Sequence, residues 1–334
     1  MPAKALLYCA GGGAGDSLMA TVVARALRER YERVDALTIS GHADVLARVP
    51  DVDRVLLDDP AVNDADLARQ VAQERYDAAI VTWATPRTAN VPFAARIPVR
   101  VGQARRLYSW RFTKRVIVRS ERGDLTSHWT QILLDYARAI GCDTADATPR
   151  FVPLQADVDA ADALLREIGV EAQPFAIVHT TNAIAPQRGI WPTQGWSALV
   201  QAVRQRWNVP VLLTGAPRDR EIVEEIARQS GGILVAGKTS QGGFGALAQR
   251  AEFFAGITTG SMHIAAAVGC PTVGVFPFQT DTPERWAPLG PRTAIVRASY
   301  PCRPGERKET CPDYACIANL DVPRIIAAIE SLTA

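Results

Sequence analysis

The sequence predicts an α/β protein built from two Rossmann-like domains that face each other across a cleft. Short aliphatic and β-branched runs alternate with stretches whose apolar residues have helical spacing, and this series restarts in the second half of the chain. Such alternation predicts parallel sheets covered by helices on both faces. A chain of 334 residues, 48% of them hydrophobic, is long enough for two domains of ordinary size.

The first half of the chain contains five predicted strands. A strand over 5–9 leads through a glycine loop into a helix over 18–30, whose apolar residues recur at helical spacing. The remaining predicted strands of this half are 36–39, 54–57, 78–81 and 115–118.

The same alternation restarts after a turn-rich stretch at 148–150 and a helix that ends at Gly169. The predicted strands of the second half are 175–178, 209–213, 232–235, 252–255 and 271–276. We therefore place the domain boundary within 150–172, and assign residues 1–160 to the first domain and 161–334 to the second.

Composition narrows the class of protein. A net charge of +2 at pH 7 gives no overall signal for a polyanionic partner. The chain lacks an apolar run of roughly eighteen residues, and its first residues show no cleavage-site pattern, so we expect a cytoplasmic protein. Six cysteines are too few for a disulfide scaffold.

The glycine loop after the first strand is followed by a carboxylate, Asp16. A dinucleotide-binding loop would need glycine or alanine at that position, and no acid follows the second strand, where Ser40 and Gly41 lie. These departures argue against an NAD-dependent oxidoreductase. An aspartate here either caps the following helix or, at the mouth of a cleft, accepts a proton from a substrate hydroxyl.

Six motifs follow one another at 15–21, 49–55, 188–192, 213–219, 236–240 and 258–276. Their ordered set resembles glycosyltransferase family 9, the ADP-heptose:lipopolysaccharide heptosyltransferases. The last motif is the most specific, because a glycine turn opens a helix of small residues that leads into a strand. The resemblance covers nearly the whole chain and implies a GT-B type fold and an inverting, metal-independent glycosyltransferase.

The resemblance also implies roles for the two domains. Asp16 would be the general base, and the N-terminal domain would bind the acceptor. The residues predicted to contact the acceptor are Gly15, Ser17, Arg105 and Arg106. The C-terminal domain would bind the nucleotide-sugar donor, and the residues predicted to contact it are Thr181, Asn182, Arg188, Asp219, Thr239, Thr258, Thr259, Gly260, Ser261 and His263.

One donor contact has a physical reason of its own. Gly260 and Ser261 open a helix whose free backbone amides lie at its positive end, and such an end can hold a diphosphate without a metal. The alternative is that the small residues serve packing only. His263 is either a core histidine or a donor to a phosphate oxygen. Asp219, which the resemblance places near the ribose, could instead cap the next helix, and Thr181 and Asn182 could form a turn.

Two departures from the family pattern leave the donor sugar open. Thr258 stands where the family usually has aspartate, and Gly189 stands where it usually has lysine. Arg188 is adjacent to the second position and could supply the missing charge with its planar fork of donors.

A segment from Arg96 to Arg122 concentrates positive charge that the balanced total conceals. Against the single acid Glu121 it carries Arg96, Arg100, Arg105, Arg106, Arg111, Lys114, Arg115, Arg119 and Arg122, with Tyr108, Trp110 and Phe112 between them. We favour an acceptor platform in which guanidinium groups hold phosphates or carboxylates and the aromatic rings cover sugar faces. The alternatives are a solvated face and nucleic-acid binding, and we expect no nucleic-acid partner.

Three cysteines near the C-terminus, Cys302, Cys311 and Cys316, form no CxxC pair. Reduced thiols or a local structural link are therefore favoured over a zinc site, and we assign no metal and no cofactor.

These patterns predict a single displacement in which the two domains close on a nucleotide sugar, ADP-heptose by the resemblance, and an anionic glycan or lipopolysaccharide-core acceptor. The acceptor would bring this cytoplasmic protein to the inner membrane peripherally. The alternatives are a GT-B transferase with another sugar nucleotide and a different acceptor, and a non-catalytic protein that binds nucleotides or glycans.

Overall fold

The computed structural model of the protein describes residues 3–180, 191–278, 282–302 and 311–333. The chain divides into two compact units, Met1–Val152 and Pro153–Ala334. Each contains one parallel sheet of six strands with helices between the strands. The two parallel sheets confirm the predicted α/β class.

The first unit begins with a strand and a helix on either side of the glycine loop. Its strands are β1 Lys4–Tyr8, β2 Arg33–Thr38, β3 Arg54–Leu57, β4 Ala78–Val81, β5 Val99–Gln103 and β6 Lys114–Val116. Its helices are α1 Ala14–Leu27, α2 Ser40–Leu46, α3 Asp64–Gln73, α4 Pro86–Ala94 and α5 Trp129–Arg138.

The second unit repeats this organisation. Its strands are β7 Ala176–His179, β8 Val211–Thr214, β9 Ile233–Leu234, β10 Phe254–Ile257, β11 Thr272–Phe276 and β12 Thr293–Arg297. Its helices are α6 Gln155–Glu167, α7 Thr193–Trp207, α8 Arg220–Ser230, α9 Gln241–Arg250, α10 Gly260–Ala267, α11 Pro283–Trp286, α12 Ala315–Ala318 and α13 Val322–Thr333.

Both sheets have the doubly wound Rossmann order. In the first unit the order is β3-β2-β1-β4-β5-β6, and in the second it is β9-β8-β7-β10-β11-β12. In each sheet the chain adds strands first on one side of the first strand and then on the other. The switch point therefore lies between β1 and β4 in the first sheet and between β7 and β10 in the second. Ligands of open α/β sheets bind at the carboxyl ends of the strands at such switch points.

Continuous apolar runs form the central strands because both faces of a parallel sheet are covered. Every residue of β4 is buried, as are the last four residues of β1. Two predicted strands, β3 and β4, coincide with the observed ones, whereas β5 and β12 were not predicted. Helix α1 begins one turn before the predicted residue 18, because Gly13 is its N-cap.

The division between the units falls eight residues before the predicted boundary at 160/161. The reason is α6, which belongs entirely to the second unit. Its Glu167 pairs with Lys238 at 2.6 Å between Oε1 and Nζ, and its Asp162 pairs with Arg250 of α9. A boundary at residue 160 would cut this helix.

Candidate active site

The first unit brings several polar and aromatic side chains to the carboxyl ends of its central strands. The glycine loop follows β1, His42 lies in the helix that follows β2, Trp83 follows β4, and Arg105 follows β5. Because β2, β1, β4 and β5 are neighbours in the sheet, these segments lie along one edge. We call this the first edge.

Asp16 occupies the third position of α1, where it caps the helix. Its Oδ2 accepts a hydrogen bond from the backbone N–H of Gly13 at 2.7 Å. Burial raises the pKa of the Asp16 carboxyl above its ordinary value, while the Gly13 hydrogen bond and the attraction of His42 oppose that rise. A carboxylate with a raised pKa accepts a proton more readily, so the capping geometry leaves the chemistry of a general base intact.

A buried hydrogen-bond network lies behind Asp16. The carbonyl oxygen of Cys9 accepts from the hydroxyls of Ser17 at 3.1 Å and of Thr38 at 2.7 Å. The Ser17 Oγ also lies 2.9 Å from His42 Nδ1, and because its single proton is used, Nδ1 must be the donor. Burial lowers the pKa of His42, so a neutral ring with an unprotonated Nε2 follows at pH 7.

Two of the predicted acceptor contacts, Gly15 and Ser17, lie in the first turn of α1. Gly15 and Ser17 are both buried, and the Ser17 hydroxyl is bonded inside the unit. His42 was not predicted as a site residue, although it follows β2, the strand next to β1. Its position after that strand could have indicated a site residue, because the carboxyl ends of neighbouring parallel strands lie at the same edge of a sheet.

Trp83 was likewise not predicted, and it is an exposed aromatic residue of the first edge. Its side chain is 42% exposed, and its five-membered ring lies against Gly11. A Cβ atom at residue 11 would come within 2.1 Å of Cγ and Cδ1 of the indole, so only glycine permits this approach.

The basic segment 96–122 is not one exposed face. Arg119 forms a bidentate pair with Asp135, with 2.6 and 2.7 Å between nitrogen and oxygen. The guanidinium of Arg100 donates to the carbonyl of Arg111 at 2.8 Å and lies over the ring of Phe93. Arg105 and Arg106 are exposed, and Arg106 lies 3.3 Å from a carboxylate oxygen of Glu121.

The prediction that the aromatic residues of this segment cover sugar faces is wrong for Phe112. Its side chain is 2% exposed and packs against Gly102 of β5 in the core. The Tyr108 hydroxyl donates to the carbonyl of Ala84 at 2.6 Å, which ties the segment to the loop after β4. Trp110 is exposed and packs edge-on against Phe93.

In the second unit, the predicted donor residues that the structure describes lie at the carboxyl ends of three strands. Thr258–Ser261 follow β10, Asp219 follows β8, and Thr239 follows β9. These strands and β7 are neighbours in the order β10-β7-β8-β9, so the residues share one edge, which we call the second edge. Thr181, Asn182 and Arg188 lie outside the described residues.

The N-terminus of α10 lies at this second edge and carries no side-chain cap. Its N-cap residue, Thr259, makes no capping hydrogen bond, and its first turn contains no acid. Thr259 Oγ1 and the 1% exposed Thr180 Oγ1 have no hydrogen-bond partner among the described residues. Uncapped helix amides with buried, unpartnered hydroxyls beside them form a setting suited to phosphate oxygens.

The remaining predicted residues of the second edge are Asp219, Thr239 and His263, which take part in a turn or are at least half-buried. Asp219 Oδ2 accepts from the backbone N–H of Ala216 at 3.3 Å and so caps the turn Pro217–Asp219. It makes no side-chain cap on α8. Thr239 is half-buried, and His263 is largely buried in α10.

His179 is a buried residue at the end of β7, the strand between β10 and β8. Its Nδ1 is 2.9 Å from Thr214 Oγ1, and its ring stacks on Phe254 with 6.3 Å between centroids. Burial lowers the pKa of His179 to about 4, so the ring is neutral at pH 7. Gly256 of β10 allows this packing, since a Cβ there would come within 2.9 Å of the His179 Cβ.

The C-terminal cysteines make local contacts. Cys311 Sγ accepts from the backbone N–H of Tyr314 at 3.3 Å, and Cys316 is buried in the core of the second unit. In the described part of the chain, no group of three or more His, Cys, Asp or Glu side chains could hold a metal ion. None of the helices in that part is long and apolar enough to cross a membrane.

Solved structures share this architecture over almost the whole chain. A glycosyl transferase family 9 protein of Veillonella parvula matches with a TM-score of 0.85 at 17% identity, covering 99% of this chain and 97% of that one. The E. coli ADP-heptose LPS heptosyltransferase II matches with a TM-score of 0.80 at 20% identity, covering 99% and 98%. E. coli heptosyltransferase WaaC, solved with ADP, matches with a TM-score of 0.72 at 16% identity, covering 98% and 99%.

These similarities define the fold as the GT-B type, as the sequence predicted. The model of the family described as "Glycosyltransferase family 9 (heptosyltransferase)" matches residues 65–315. The chain therefore belongs to glycosyltransferase family 9, and the protein is a glycosyltransferase.

Proposed function

We propose that the protein transfers heptose from ADP-heptose to a lipopolysaccharide core or related anionic glycan, with inversion and without a metal ion. The observation that carries this proposal is the uncapped N-terminus of α10, together with the hydroxyls of Thr180 and Thr259, which have no hydrogen-bond partner among the described residues. Both similar E. coli proteins are named as heptosyltransferases, and one was solved with ADP.

The donor would lie along the second edge. The diphosphate accepts hydrogen bonds from the backbone N–H groups of Gly260 and Ser261, where the positive end of the α10 dipole favours negative charge. Asp219 would accept from the ribose, and Thr239 would lie beside the base. Arg188, with Thr181 and Asn182, would complete the contacts to the phosphates and sugar.

The acceptor would lie along the first edge, with Asp16 as the base. The acceptor hydroxyl oxygen attacks the anomeric carbon, the bond from that carbon to the β-phosphate oxygen breaks, and ADP leaves with the electron pair. The hydroxyl proton passes to the Asp16 carboxylate. Attack from the side opposite the leaving group inverts the anomeric centre. Arg105 and Arg106 would hold the anionic groups of the acceptor.

A nucleotide panel tests the donor proposal directly. A ligand that binds the folded protein raises its melting temperature, so ADP should raise it more than GDP or UDP at the same concentration. The shift by ADP should persist in excess EDTA, because helix amides rather than a cation hold the diphosphate. A larger shift with GDP or UDP would assign another sugar nucleotide, and loss of the ADP shift in EDTA would overturn the metal-independent site.

A transfer assay separates an enzyme from a protein that only binds. We expect heptose to pass from ADP-heptose to the deacylated core oligosaccharide of a heptose-deficient lipopolysaccharide, with release of one ADP per product. Binding of ADP without any transfer to this acceptor would contradict the acceptor assignment.

A further inference from the structure

Trp83 is the exposed aromatic side chain at the switch point of the first sheet. It follows β4, immediately beside the loop that follows β1, and 42% of its side chain remains exposed. It is not part of the apolar core that the neighbouring Ala84 and Tyr108 join. Packing against Gly11 covers one part of the indole, and the exposed part is available to a ligand.

The indole packs against the glycine loop on one side, and hydrogen bonds fix the backbone that carries it. Its five-membered ring lies against Gly11, where no side chain intervenes. The carbonyl of Trp83 accepts from Thr88 Oγ1 at 2.8 Å, and Thr88 also belongs to the capping box of α4 with Thr85. The next carbonyl, that of Ala84, accepts from the Tyr108 hydroxyl. A rigid, exposed ring loses little freedom when a ligand covers it.

The strand order places this ring between two kinds of polar group. Asp16 belongs to the loop and helix after β1, Trp83 follows β4, and the exposed Arg105 and Arg106 follow β5. Adjacent strands lie about 5 Å apart, so the ends of β1, β4 and β5, which these segments follow, span roughly 10 Å. That is the scale of one or two sugar rings.

We propose that Trp83 is the platform for the acceptor sugar, on which the C–H face of the ring stacks while its attacking hydroxyl points to Asp16 and an acidic substituent reaches Arg105 and Arg106. The face of the indole is negative, and the C–H face of a pyranose is apolar with weakly positive hydrogens, so the two surfaces match. This inference rests on the proposed transfer to an anionic glycan and names the contact that orients it.

Two substitutions at the same position isolate the role of the aromatic face. Trp83→Leu removes the π face but keeps an apolar side chain, whereas Trp83→Phe keeps a smaller face. We expect Trp83→Leu to raise the KM for the core oligosaccharide roughly fivefold to tenfold, and Trp83→Phe to raise it less, as the strength of aromatic contacts suggests. Leu57→Ala, at an exposed leucine at the end of β3, controls for loss of exposed apolar surface and should leave that KM unchanged.

Two binding measurements accompany the kinetics: the affinity for ADP shows whether a variant is folded, and the affinity for the oligosaccharide measures acceptor binding directly. The ADP-induced shift in melting temperature should be equal in all variants, which shows that they are folded. Calorimetric titration of the oligosaccharide into the ADP complex should show the same order of affinities as the KM values. If the wild type transfers heptose but Trp83→Leu has the wild-type KM and affinity, the platform is overturned while the proposed function stands. If the wild type binds the oligosaccharide through Trp83 without transferring heptose, the platform stands and the transfer proposal falls; if it does not bind the oligosaccharide at all, both fall.

Discussion

The two units share one strand order but have opposite chemistry at the switch points of their sheets. At the first edge, helix α1 is capped by the carboxylate of Asp16, so its positive end is already satisfied by a negative charge. At the second edge, helix α10 has neither a side-chain cap nor an acid in its first turn. The same scaffold thus presents a carboxylate in one unit and an uncapped, positive helix end in the other. The difference lies in a few side chains and not in the topology.

The largest effect should come from removing the carboxylate of the first edge. Asp16→Asn keeps an oxygen that accepts from the Gly13 N–H but cannot accept the acceptor's proton. We expect kcat to fall roughly 10²- to 10⁴-fold, the usual contribution of a positioned general base, with ADP affinity unchanged. Initial rates and ADP titration measure the two quantities.

A second capping aspartate provides the matched control. Asp157 accepts from the backbone N–H of Leu154 at 2.8 Å and caps α6 in the way that Asp16 caps α1. Asp157→Asn should therefore leave kcat near the wild-type value. Near-normal transfer by Asp16→Asn would mean that the carboxylate serves the helix alone.

The next effect should come from placing a carboxylate cap at the second edge, like the cap that Asp16 forms at the first. Thr259→Asp places a carboxylate at the uncapped N-terminus of α10, where it should cap the helix and repel a diphosphate. We expect the Kd for ADP to rise roughly 10- to 100-fold, while the free energy of unfolding increases by about 0.5–1 kcal/mol.

Thr259→Asn separates charge from capping, because its amide can cap the helix without a negative charge. We expect it to stabilise the protein and to weaken ADP much less than Thr259→Asp. If both variants bind ADP as the wild type does, the diphosphate does not lie at this helix end.

A smaller effect should follow from neutralising the exposed guanidinium groups of the first edge. Replacing Arg105 and Arg106 together by glutamine should raise the acceptor KM about tenfold and leave the ADP affinity unchanged. Added salt should weaken acceptor binding more in the wild type than in this double variant, because it screens the charges removed. Arg69→Gln, which removes an exposed arginine of α3 paired with Asp66, is the charge control. Equal salt dependence in all three proteins would contradict an anionic acceptor at this place.

The last effect concerns two of the buried histidines, His179 and His42. The folded-state pKa of His179 is about 4 against an ordinary 6.5, so between these values the unfolded chain binds more protons than the folded one. His179 therefore stabilises the protein fully above pH 6.5, and this contribution is lost as the pH falls toward 4. We expect the free energy of unfolding to fall by at most about 1.4 kcal/mol per pH unit in this window, and His179→Asn to flatten the slope.

His42 should contribute to this pH dependence with the same sign, because burial lowers its pKa while the charge of Asp16 opposes that shift. Chemical denaturation at a series of pH values, repeated with His42→Asn, measures both slopes. A slope that His179→Asn leaves unchanged would locate the pH dependence elsewhere in the protein.

Sequence periodicity was sufficient for the central strands and insufficient for strands that carry charge. Strands β3 and β4 coincide with the prediction, since an apolar run with polar ends fixes both boundaries. Strand β5 includes Arg100 and Gly102, and the edge strand β12 ends at Arg297, so neither has the apolar pattern of a central strand. The burial of Phe112 depends on Gly102 in a neighbouring strand, which spacing along the chain does not reveal.

Some residues of the candidate sites could be predicted from local sequence and others could not. Asp16 and the glycine turn at 260 were predictable because local motifs place them at the start of helices. Trp83 and His42 were not, because their importance depends on which strands are neighbours. The order β2-β1-β4 brings both residues beside the glycine loop, although they lie 72 and 31 positions from Gly11 in the chain.

The cap on α1 couples the proposed reaction to the stability of that helix. When Asp16 takes a proton, its charge-assisted bond to the Gly13 amide weakens and the negative charge at the positive helix end disappears. The first turn of α1 is then at its least stable, and recovery of the helix end favours release of the proton to solvent. The Gly13 amide N–H donates to Asp16, so its NMR chemical shift should follow the protonation of that carboxyl. The same signal should return to its starting value when Asp16 loses the proton before the next turnover.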